Sequence, residues 1–303
     1  MKYGRPYQVR VSSDTILKGY SWPLPNSVAN VVLVTGMAEA SYRYDEFAHF
    51  LNEHGYGVYC IDHYGQGMNT EKPEDMGVWP KDGFRKAVQM VYANAMEVVK
   101  LGKPVYVFAH SMGSFVTQEF IQEYGNMIDK VVLCGSCGKQ VAAKMGAFIS
   151  NITCLFHDRD TYQAKAMHKL TFGAYNKKVP DAKTSCDWLS HNEESIQEYL
   201  NDFRCNYIPT AGFYKEFMAG LNRIHLKKNV AKVPHDLPIL LIAGQEDPVG
   251  HYGKGVESLY KMYRNAGIQD VTMHLYPHFR HEILNELNNE KVLEDILYFF
   301  KEN

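Results

Sequence analysis

Ala109-His110-Ser111-Met112-Gly113 follows the apolar run Pro104-Val105-Tyr106-Val107-Phe108 and leads into a stretch, 112–124, with apolar residues at helical spacing. A serine flanked by small residues where a strand turns into a helix is the nucleophile-elbow pattern, GxSxG, with Ala109 in the first small position. The turn is sharp, so bulky neighbours would strike the adjacent strand or helix. The other role open to Ser111 is to cap the helix that begins at Met112.

The same rhythm extends outward from the elbow. Runs rich in Val, Ile and Leu at 30–35, 57–61, 130–134, 238–243 and 271–276 alternate with helical patterns at 42–54, 82–99, 252–265 and 289–301. This predicts an α/β fold, with a mostly parallel central sheet and helices on both faces. Segments 7–12 and 16–22 read as an antiparallel hairpin at the sheet edge. The stretch 139–233 breaks the rhythm, with helical faces and no strand. Its first stripe carries Val141, Met145, Phe148, Ile149, Ile152, Leu155 and Phe156, its second Ile196, Tyr199, Leu200 and Phe203, and its third Phe213, Phe217, Met218 and Leu221. The expected organisation is a core of residues 1–138 and 234–303 with a helical cap, 139–233, inserted between two strands. Such stripes are mostly core. The Met and Phe of the first suit the roof of an apolar pocket, which makes Met145, Phe148, Ile149 and Ile152 candidate substrate-binding residues.

A serine hydroxyl attacks well only when a base takes its proton. On an elbow of this type the acid and then the base follow the serine in the chain. Asp247 stands just past the strand ending at Ala243, and His281 just past the strand ending at Tyr276. Open α/β sheets gather their chemistry at these strand ends. Glu246 is a rival acid and His278 a rival base, and spacing alone does not separate the two histidines. An oxyanion needs main-chain donors. The Met112 N–H is one candidate, and the Met37 N–H, in the small-residue loop Gly36-Met37-Ala38, is the other. The loop from Asp62 to Gly67 reads as structural, since it lacks the helix and lysine of a phosphate loop. This constellation predicts two-step acyl transfer through Ser111, a chemistry that requires no cofactor and no metal.

The 303 residues carry 32 Lys and Arg against 34 Asp and Glu, a net charge of −2. That balance offers no electrostatic footprint for nucleic acid. No run of about 18 apolar residues exists to span a membrane. The first ten residues lack the apolar stretch of a signal peptide. Six scattered cysteines then read as reduced thiols, and the expected location is the cytoplasm. Cys134 and Cys137 have CxxC spacing but no second pair nearby, so they read as a strand end and turn.

The chain resembles the lysophospholipase and monoacylglycerol lipase group of α/β-hydrolases, often labelled serine aminopeptidase S33. The resemblance rests on Thr35-Gly36-Met37-Ala38-Glu39 with Tyr44, the 62–67 loop, the elbow, Gly244 to Pro248 and Arg280-His281-Glu282. In the cap it rests on stretches 172–176, 187–190 and 201–205. It implies an α/β-hydrolase fold, His281 rather than His278 as base, and an oxyanion hole of Met37 and Met112. Where this chain has Thr35-Gly36 the family usually has His-Gly, and where it has Ala38 the family has Gly. Tyr64 stands where Arg is usual, and Ala109 where Gly is usual. The resemblance implies a small-molecule ester or lipid-like substrate, such as a lysophospholipid or monoacylglycerol. A peptidase or amidase of the same fold would need an acidic cap residue for a free amino group, and Glu193, Glu194 and Glu198 read as a solvated helix face. A third reading is a hydrolase-like binding protein with little turnover. Chemistry through a carboxylate nucleophile does not fit Ser111.

Overall fold

The computed structural model describes residues 3–140 and 142–302. Val141 of the first apolar stripe lies outside them. In chain order the first half runs β1 (Arg5–Ser12), β2 (Thr15–Trp22), β3 (Ala29–Val34), α1 (Asp45–Glu53), β4 (Tyr56–Ile61), α2 (Gly83–Val99), β5 (Val105–His110), α3 (Met112–Tyr124) and β6 (Lys130–Cys134). Then come helices α4 (Ala142–Phe156), α5 (Lys165–Phe172), α6 (Glu193–Asn201), α7 (Ala211–Ile224) and α8 (Lys227–Val230). The chain closes with β7 (Ile239–Gly244), α9 (Lys254–Asn265), β8 (Val271–Tyr276) and α10 (Glu290–Lys301).

One eight-stranded sheet has the order β1-β2-β4-β3-β5-β6-β7-β8. The β1–β2 and β2–β4 pairs are antiparallel and all others parallel. The chain steps from β3 to β4 on one side, then crosses to β5 on the other. This reversal opens a crevice at the carboxyl ends of β3 and β5, where doubly wound sheets place their sites.

The inner strands are apolar on both sides because helices cover both faces. Val32, Val34, Val107, Leu133 and Leu241 point into one layer with Val88, Val116, Phe120 and Leu259 of α2, α3 and α9. Val31, Leu33, Phe108, Val132 and Leu240 point into the other with Phe47 and Leu51 of α1 and Ile296 and Phe300 of α10. Truncating a fully buried ring such as Phe120 would cost about 3–5 kcal/mol. The six cysteines are free thiols, and Cys134 closes β6.

Between β6 and β7 the described residues form helices and turns, with one isolated bridge between Gln163 and Thr210. Asn192 caps α6 through its side chain, and Thr210 caps α7. Helix α4 buries Ala143, Gly146 and Ser150. A Cβ on Gly146 would stand 2.8 Å from the Met218 sulfur of α7. The small residues therefore form the packed face of α4, and the bulky ones are turned out. Met145, Phe148 and Ile152 are exposed, as are Leu155 and Phe156. Among the described residues no helix is long and apolar enough to cross a membrane.

Candidate active site

Strand β5 ends in the crevice, and Ser111 follows it at φ 51°, ψ −121°. A non-glycine residue held there stores about 1–3 kcal/mol of strain, which surrounding structure must impose. The Ser111 N–H donates to the Cys134 carbonyl of β6 (2.9 Å), and its own carbonyl accepts the Ser114 N–H (2.9 Å). Gly113 has no room for a side chain, since a Cβ would lie 2.4 Å from the Thr35 oxygen and 2.5 Å from that of Val34. Ser111 precedes α3, but its hydroxyl makes no capping bond. Its Oγ lies 2.8 Å from His281 Nε2 instead.

The structure separates the rival residues. His278 sits at φ +59° with its side chain 92% exposed, 3.6 Å from Glu246, which also faces solvent. His281 and Asp247 are buried. His281 Nδ1 lies 3.0 Å from Asp247 Oδ2, off the line of a well-formed hydrogen bond, and neither atom has another partner among the described residues. Asp247 Oδ1 accepts the Val249 N–H (2.8 Å), which fixes the carboxylate. An imidazole placed this way can take a proton from the serine on one side while the aspartate orients it on the other.

Met37 and Met112 both belong to the cavity wall beside Ser111. Met112 opens α3, so its N–H has no carbonyl one turn back to bond. The loop holding Met37 is braced from two sides. The Gly36 N–H donates to Glu39 Oε1, and Gln66 Nε2 donates to the carbonyls of Gly36 (3.0 Å) and Glu39 (3.2 Å). The 62–67 loop thus does structural work at the site. Ala38 adopts φ +56°, a conformation that favours glycine.

Sequence reasoning assigned no role to the buried cluster behind the histidine. Arg43 forks onto Glu282 (2.7 and 2.8 Å) and reaches Glu39 at 3.3 Å. Tyr44 donates to Glu39 (2.7 Å), and His110 Nδ1 lies 3.2 Å from the same carboxylate. Burial works against the Glu282 charge, but Arg43 overrides it and holds the carboxyl at about 2. Glu39 is lowered against the same burial by His110 and Arg43. Glu39, Tyr44, His110 and Glu282 all stand in the stretches that carry the family resemblance, whereas Arg43, which ties the two carboxylates together, stands outside them.

A cavity of about 360 Å³ opens over Ser111. Its far wall comes from α5, α7 and two 3-10 turns, Tyr175–Lys178 and Asp187–Leu189, with Phe172, Tyr175, Trp188, Met218 and Leu221. Met145, Phe148, Ile149 and Ile152 are not in that wall. The expectation that the first stripe roofs the pocket is corrected: α4 turns its bulky side to solvent, and only Ile149 of the four is half-buried. The Trp188 ring centroid lies 5.1 Å from that of His281. The Trp188 carbonyl accepts the His281 N–H (3.4 Å), and the Leu189 carbonyl accepts the Glu282 N–H (2.7 Å). Glu193, Glu194 and Glu198 are exposed on α6, outside the cavity wall.

The family model described as serine aminopeptidase, S33, matches residues 25–288, core and inserted helices alike. The chain belongs to this family. A monoacylglycerol lipase of Mycolicibacterium smegmatis is 25% identical over 269 residues, 88% of this chain and 85% of that one. Phospholipase YtpA of Bacillus subtilis is 23% identical over 287 residues, 91% of this chain and 96% of that one. A solved structure of a highly thermostable carboxyl esterase from Bacillus coagulans superposes with a TM-score of 0.87 at 26% identity, covering 98% of this chain and 96% of that one. The sheet and its helices are those of an α/β-hydrolase.

Proposed function

We propose that this family member hydrolyses carboxylic esters with an apolar acyl chain, such as monoacylglycerols or lysophospholipids, through an acyl-serine intermediate. The observation that carries the reading is the 2.8 Å contact of Ser111 Oγ with His281 Nε2 at the floor of a largely apolar cavity. His281 takes the hydroxyl proton as Ser111 attacks the ester carbonyl. The oxyanion rests on the Met37 and Met112 N–H groups. His281 then gives the proton to the leaving alcohol, and water releases the acid by the same route. Residues 139–233 serve as the cap that admits the acyl chain. The names of the relatives, a monoacylglycerol lipase and a phospholipase, accord with a lipid-like ester. A peptidase needs a free carboxylate for the substrate amine, and Glu39 and Glu282 at the cavity wall are already held by Arg43, Tyr44 and His110.

The test is an acyl-chain series of nitrophenyl esters and monoacylglycerols with wild type and Ser111→Ala. The variant should lose about 10³-fold or more in kcat. Equal rates would remove Ser111 from the chemistry, and a wild type that binds these lipids without releasing product would mark a binding protein.

A further inference from the structure

His110 is a buried, titratable neighbour of Ser111 that the acyl-transfer chemistry does not use. Its Nδ1 lies 3.2 Å from Glu39 Oε1, and its Nε2 lies 3.4 Å from the main-chain oxygen of His281. A carboxylate and a carbonyl oxygen can only accept. A neutral imidazole carries one N–H and would turn its bare nitrogen toward a lone pair. Only the imidazolium, with a proton on each nitrogen, makes both bonds.

The charge balance gives the same answer. The groups around the ring are Glu39 from the loop after β3, Arg43 and Tyr44 from the turn before α1, His281 and Glu282 from the loop after β8, and Cys134 from β6. Two buried carboxylates against one guanidinium leave an uncompensated charge, which is costly in an interior. An imidazolium at His110 cancels it. Burial opposes that charge, but Glu39 outweighs the burial and shifts the His110 pKa upward from the ordinary histidine value.

We propose that His110 is a positioning residue that works as an imidazolium strut, tying the oxyanion loop to the loop of the catalytic base. At one end Glu39 also accepts the Gly36 N–H, one residue before Met37. At the other, the acceptor is the main-chain oxygen of His281 itself. Loss of one proton breaks one tie and unbalances the cluster, so activity falls on the alkaline side as His110 deprotonates. The kinetic part of this proposal rests on the ester-hydrolase reading, and its spectroscopic part does not.

The experiment has two arms. In the full-length protein labelled with ¹⁵N-histidine, the His110 ring signals, assigned by their absence in His110→Asn, should show both nitrogens protonated at pH 7. A neutral ring at pH 7 overturns the proposal whether or not the protein turns over an ester. In the second arm, kcat/KM is followed against pH for wild type and Glu39→Gln. Without the carboxylate, His110 should release its proton at lower pH and the alkaline limb should move down by about one pH unit or more. At the optimum, kcat should fall about tenfold with KM within about twofold. An unmoved alkaline limb in a folded Glu39→Gln protein overturns the proposal. If that variant does not fold, the ring signals of the wild type decide alone.

Discussion

Arg43→Ala should cost the fold about 3–5 kcal/mol at neutral pH, and the cost should shrink in acid. The guanidinium makes two bonds to Glu282, at 2.7 and 2.8 Å, and a third contact to Glu39 at 3.3 Å, with all three side chains at 10% exposure or less. Removing one partner of such a pair strands a buried charge, which typically costs about 3–5 kcal/mol. The titration of Glu282 gives a similar size. Its carboxyl is held at about 2 rather than the usual 4.5, and at 1.36 kcal/mol per pH unit that gap is worth about 3 kcal/mol. A depressed carboxyl contributes in full above its unfolded pKa and loses the contribution as pH falls through its folded one. The difference between wild type and Arg43→Ala should therefore be full at pH 7, about halved at pH 3 and nearly gone below pH 2. Urea unfolding followed by circular dichroism at pH 7 and pH 3 measures both quantities. A difference under about 1 kcal/mol at pH 7, or one that does not narrow at pH 3, would refute the reasoning.

Four further outcomes are expected. His281→Ala should lose about 10³-fold or more in kcat on a nitrophenyl ester, whereas His278→Ala, altered at an exposed ring, should stay within about threefold. Gly113→Ala forces a Cβ against main-chain oxygens at 2.4 and 2.5 Å, so it should lower stability by about 1–3 kcal/mol and kcat by about 100-fold, read by urea unfolding and steady-state kinetics. Phe148→Ser on the outer face of α4 should leave kcat/KM for a short soluble ester within about twofold. Met218→Ala in the cavity wall should change the ratio of long- to short-chain ester rates by about tenfold, the scale of one or two buried methylenes.

The sheet was legible because strands covered on both faces must be apolar at every position, as in Val31-Val32-Leu33-Val34. The elbow was legible because strand, small residues and helix meet within a few positions. The helical insert was less so. Helix α5 buries only Met167 among its eight residues, too little for a periodic signal. In α4 the bulky stripe suggests the inward face, but close approach to α7 selects Ala143, Gly146 and Ser150 for that side. Trp188 reaches the cavity from a 3-10 turn, where no helical period exists to mark it. The choice between His278 and His281 depended on a loop path, with φ +59° at His278, that strand spacing does not encode.

The carbonyls of Trp188 and Leu189 hold the main chain at His281 and Glu282, and Arg280 Nη1 donates to the carbonyls of Asp187 (2.8 Å) and Ser190 (3.0 Å). The helical insert is therefore not an interchangeable specificity module. Exchanging it whole with that of a relative, to import a substrate preference, would also exchange the scaffold under His281. A chimera should keep residues 187–190 from the same parent as 280–282. Its crossover points then fall inside the insert, not at the ends of β6 and β7.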